Sequence, residues 1–136
     1  MKVKLVLLFF IVIFSCPLFG AAAFAEALDR DGNSITWTFS FEEGNNTARV
    51  RNNAIEQLKS QGHSNVRATL STTLNKGYYA VLYTAFMLDG VLRKSFAFGF
   101  SAKSEEDAQN VAVKNLNKVK GWTAERGYTV NKIGAF

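Results

Sequence analysis

The sequence predicts an α+β fold: an antiparallel sheet of three to five strands with two helices packed on one face. Three observations carry that expectation. Ile35, Trp37, Phe39 and Phe41 alternate with Thr36, Thr38 and Ser40, the period of a half-buried strand. Asp89-Gly90 stands between two apolar runs and suits the type I′ turn of a two-residue hairpin. Ala108, Val111, Ala112, Leu116 and Val119 recur at helical spacing behind Ser104.

The N-terminus predicts export, to the periplasm or the extracellular space. Lys2 and Lys4 precede a charge-free run from Leu5 to Phe14, the n-region and h-region of a secretory leader. Small residues at Ala23 and Ala25 place cleavage between Ala25 and Glu26, which divides the chain into a leader (1–25) and a single domain (26–136). Ser15, Pro17 and Gly20 interrupt the apolar run before it reaches the roughly 18 to 20 residues of a membrane span, so no stable anchor is expected after cleavage. Ile13-Phe14-Ser15-Cys16 has the outline of a lipidation site, against which Phe14 and Pro17 both argue.

Cleavage there removes the single cysteine, so no disulfide or thiol chemistry is expected and stability must come from a packed core. A chain of about 111 residues is long enough to bury one. It keeps 14 basic against 11 acidic residues once Lys2 and Lys4 are gone. That slight excess says little about a polyanionic partner.

Glu26 to Asn33 is polar and without period, which predicts a mobile lead-in to the strand at Ile35. Asn45 and Asn46 offer a helix cap, and Val50, Ala54, Ile55 and Leu58 continue a helix until Gly62. Residues 66–74, 78–88 and 91–101 read as three strands, with Asn75-Lys76-Gly77 as the first hairpin loop. Ser104 caps the second helix, and Glu105, Glu106 and Asp107 lie where the helix dipole favours acids. Alternation from Tyr128 to Ile133 suggests a last strand. No internal repeat and no linker are visible.

The hairpin at Asp89-Gly90 fixes a register. Tyr83 then opposes Phe96, Val81 opposes Phe98 and Tyr79 opposes Phe100, all on one face. The other face carries Ala80, Leu82, Ala97 and Gly99, small enough for both helices to approach. Tyr79, Tyr83, Phe96, Phe98 and Phe100 are therefore the candidate binding residues, unless Trp37, Phe39, Trp122 or the C-terminal tail covers them.

Helix, three antiparallel strands and helix over residues 46 to 120 resembles the double-stranded RNA-binding domain, whose two helices share one face of the sheet. That family holds phosphates with lysines at the start of its second helix. Here the matching positions are Glu105, Glu106 and Asp107, so no nucleic-acid partner is expected. The Gly77-Tyr78-Tyr79-Ala80 and Phe98-Gly99-Phe100-Ser101 runs are also similar to small exported bacterial domains of unknown function.

No chemistry stands out. His63 alone makes no zinc site, and no serine has a paired base. Glu42-Glu43 and Glu105-Glu106-Asp107 sit at helix starts, where capping and the dipole account for them. Asp29, Asp31 and Asn33 begin like a calcium loop, but Ser40 stands where its closing glutamate belongs. The sequence thus predicts an exported, non-enzymatic binding domain without cofactor or metal, taking a protein, peptide or glycan on the aromatic face or a sheet edge. A self-assembling structural protein is the alternative, and a hydrolase assembled only in three dimensions a further one.

Overall fold

The computed structural model describes residues 19–136. The charged start, the apolar run and Cys16 lie outside the described residues. β1 (Gly20–Leu28) is the axis of the N-terminal half. Its residues alternate in direction. Ala21, Ala23, Ala25 and Ala27 face outward with side chains short enough for a helix to lie close, and Ala22, Phe24 and Glu26 face inward.

β2 (Ser34–Glu43) and β3 (Val66–Thr72) pair antiparallel on either side of β1, giving the order β2-β1-β3. Between them runs α1 (Thr47–Ser60). The Asn46 side chain accepts the Arg49 N–H at 3.0 Å and so starts the helix. Val50, Ala54 and Leu58, one turn apart, pack on the β1 alanines.

The C-terminal half repeats the plan. β4 (Tyr78–Leu88) is the middle strand, flanked by β5 (Val91–Ser101) and β6 (Thr129–Ala135). α2 (Glu105–Leu116) is capped by Ser104, whose hydroxyl accepts the Asp107 N–H at 3.0 Å. It lays Ala108, Ala112 and Leu116 on Ala80, Leu82 and Ala97. A side chain at Gly99 would meet the Ala108 carbonyl 2.2 Å away, so only glycine lets the helix sit there.

The two ββαβ units also match in register. Phe24 opposes Phe39 as Val81 opposes Phe98, and Glu26 opposes Trp37 as Tyr83 opposes Phe96. Pairing to the third strand is irregular at the same point, after Phe24 in one unit and after Val81 in the other. The sequence shows no repeat because the units share a pattern of polarity and size, not identities.

The inward faces meet and leave a helix on each outer side. Phe24, completely buried, stacks on Phe98 and Phe100 with ring centroids 4.6 and 5.0 Å away. Phe39 stacks on Tyr79 at 5.1 Å, and Phe136 closes one end of this aromatic layer against Phe39, Phe41 and Phe100. Stacked and tilted ring pairs add about 0.5–1.5 kcal/mol each beyond area burial.

The α+β class is as the sequence predicts, and so is the hairpin: Asp89 and Gly90 have φ of 51° and 78°, and Leu88 opposes Val91. The arrangement differs. There are two three-stranded sheets, each with its own helix, in place of one sheet carrying both. The hairpin expected at Asn75-Lys76-Gly77 does not pair its strands, because β3 pairs with β1 and the Gly77 N–H donates to the Phe136 carbonyl.

The expected boundary between Ala25 and Glu26 falls inside β1, where Ala21 to Ala25 are completely buried. The small residues that resemble a processing site are the surface on which α1 docks. Glu26 to Leu28 continue the strand, and Asp29 to Asn33 form a turn in which the Asp29 carboxylate accepts the Asp31 and Asn33 N–H groups at 2.9 Å.

Candidate ligand cleft

The aromatic face that carries the five candidate binding residues is covered by the β2-β1-β3 sheet. Phe98 is 1% exposed, Tyr79 and Phe100 lie within the inter-sheet layer, and Tyr83 packs against Phe96 with centroids 5.2 Å apart. Trp37, Phe39 and the tail residue Phe136 supply the cover. Trp122 does not, being buried on the α2 side with its indole N–H donating to the Gly127 carbonyl at 3.0 Å.

At the end of the layer away from Phe136 the sheets part around a cleft of about 540 Å³. Phe96, Phe98 and Leu70 form its apolar wall, and Leu88 and Val119 extend that wall past the edge strand β5 towards α2. Two of the five aromatic candidates therefore reach the cleft, Phe96 and Phe98, and the other three do not line it.

One carboxylate stands at the base. Glu26 is inward-facing on β1 and 1% exposed. Arg67, opposite it on β3, brings Nε to 2.9 Å and a terminal nitrogen to 2.6 Å of Oε1. The Ser34 hydroxyl donates to Oε2 at 3.3 Å and accepts the Phe96 N–H at 3.2 Å, so a polar bridge crosses from one sheet to the other. Burial pushes the Glu26 carboxyl above the usual carboxylate range, and Arg67 and Ser34 oppose that rise.

The turn before β2 is tied to β5 beside the cleft. Lys94 N–H donates to the Asn33 side chain at 3.0 Å, and Arg93 reaches the Asp31 carbonyl at 3.3 Å. Hydrogen bonds from the Asn33 backbone, and to a lesser extent the nearby Lys94, hold the Asp29 carboxyl below its ordinary value. On the far wall the Asn115 amide donates to the Phe98 carbonyl at 2.7 Å and fixes the end of α2 against β5.

No protein family matches the chain, and no curated protein or solved structure does either. The cleft therefore rests on its own geometry. Among the described residues no group of three or more His, Cys, Asp or Glu is placed to hold a metal ion, and no helix is long and apolar enough to cross a membrane. His63 lies in the loop after α1, half-buried, where its backbone N–H closes the helix on the Leu58 carbonyl.

Glu26 and Arg67 escape a reading of the sequence. Glu26 carries one available signal, a charge at an inward position of the alternation Ala-Phe-Ala-Glu-Ala-Leu, which shows only once that segment is read as a strand.

Proposed function

We propose that this chain is an exported, non-enzymatic binding domain that takes a small ligand into the cleft between its two sheets. The observation that carries the reading is the parting of the sheets around about 540 Å³ lined by Phe96 and Phe98. Ligand sites are typically concave, a few hundred Å³ in volume, and largely apolar with a few placed polar groups. Glu26 and Arg67 line the cleft as such groups, fixed by one another and, behind them, by Ser34. Preorganisation of this kind lowers the entropy lost on binding.

A neutral fluorescent probe, N-phenyl-1-naphthylamine, tests it. Its emission should rise with the folded protein, and Thr69→Trp, which places an indole in the cleft from an exposed position on β3, should abolish the rise while thermal unfolding is unchanged. Emission that survives Thr69→Trp, or that never rises, contradicts the proposal.

A further inference from the structure

The charge of the cleft singles out one kind of ligand. Arg67 comes from β3, Arg93 and Lys94 from β5, and Lys118 and Lys120 from the turn after α2, so three separate segments deliver five cations to one opening. The described residues form three ion pairs, Arg49–Glu42, Lys59–Glu56 and Arg67–Glu26. Arg67 is thus the one cation of the five with a carboxylate at ion-pair distance.

The acids that face this group do not neutralise it. Glu26 is engaged with Arg67 and Ser34 at the base, Asp29 faces Lys94 from beyond ion-pair distance, and Asp31 meets Arg93 through its backbone carbonyl. Like charges gathered beside low-dielectric walls repel one another and focus the field into the opening. An anion placed there relieves both effects.

We infer that the cleft binds a small organic anion, a carboxylate, sulfonate or phosphate carried on an apolar body. This rests on the cleft being the binding site. The head lies at the rim among Arg93, Lys118 and Lys120, because the Glu26 carboxylate repels an anion that goes deeper. The apolar body then points inward along Phe96, Phe98 and Leu70. Placed this way, the ligand needs both halves: charge selects the acid and the aromatic wall selects its body.

Two probes that differ by one sulfonate test this on the intact folded protein. The anionic probe 1-anilinonaphthalene-8-sulfonate should bind about tenfold or more tighter than neutral N-phenyl-1-naphthylamine at low salt. That preference should shrink when salt is raised from about 20 mM to about 500 mM. Lys118→Ala combined with Lys120→Ala, both exposed, should remove most of the preference by weakening the anionic probe far more than the neutral one. Equal affinity for the two probes, or a preference indifferent to salt and to the double substitution, overturns the anion inference while the cleft remains the binding site. Failure of both probes to bind overturns the two together.

Discussion

Phe24 lies flat against Phe98, with ring centroids 4.6 Å apart and planes 21° from parallel, and through that stack the two halves of the molecule meet. One ring comes from the middle strand of the first sheet, the other from an edge strand of the second. Among the described residues no strand pairing joins the sheets, so their union rests on side chains of this layer, on the Phe96–Ser34–Glu26 bridge, and on hydrogen bonds that cross between the halves, Trp37 to Asn131, Lys94 to Asn33 and Arg93 to Asp31.

Removing the ring should show its worth. Phe24→Ala leaves a cavity in a completely buried site and is expected to cost about 3–5 kcal/mol in chemical denaturation. Phe24→Leu fills most of the space and should cost less. A loss under about 1 kcal/mol for the alanine variant would mean that the sheets do not depend on this contact.

The burial of β1 predicts which chain folds. A protein beginning at Glu26 lacks Gly20 to Ala25, most of the strand that β2 and β3 both pair with. It should show no cooperative unfolding transition by circular dichroism, whereas a protein beginning at Phe19 should unfold cooperatively. A well-folded product beginning at Glu26 would contradict the topology.

Glu26 sets a pH dependence. Burial raises its folded-state value above that of the unfolded chain. As pH rises, the unfolded chain releases this proton first, so between the two values the folded state holds more protons and stability falls. Glu26→Gln has no such proton to lose. The stability of Glu26→Gln relative to the natural protein should therefore increase from about pH 4 to about pH 7, measured by denaturation at each pH. A relative stability that is flat or falls across that window would mean that Arg67 outweighs the burial.

The sequence showed those parts of the fold that local chemistry specifies. Asp89-Gly90 fixes a turn, the turn fixes a register, and the register places Tyr79, Val81 and Tyr83 opposite Phe100, Phe98 and Phe96. Asn46 and Ser104 likewise mark where helices begin. What stayed hidden depends on partners distant in the chain. The alanines of β1 serve equally as a leader's small residues and as a bed for a helix, and nothing local separates the two. Once β1 is missed, β3 has no visible partner and is assigned to its neighbour in sequence. The cleft was illegible for the same reason, since Arg67, Lys94 and Lys118 meet only after both sheets have formed.

Backbone amide shifts in the isotope-labelled folded protein, mapped as 1-anilinonaphthalene-8-sulfonate is added, locate the ligand directly. Binding in the cleft should move amides gathered at Arg67 and Thr69 on β3, Arg93 to Phe96 on β5 and Lys118 to Lys120 after α2. Changes centred instead on Phe41 and Phe136, at the closed end of the aromatic layer, or on the exposed hairpin residues Met87 and Val91, would contradict it.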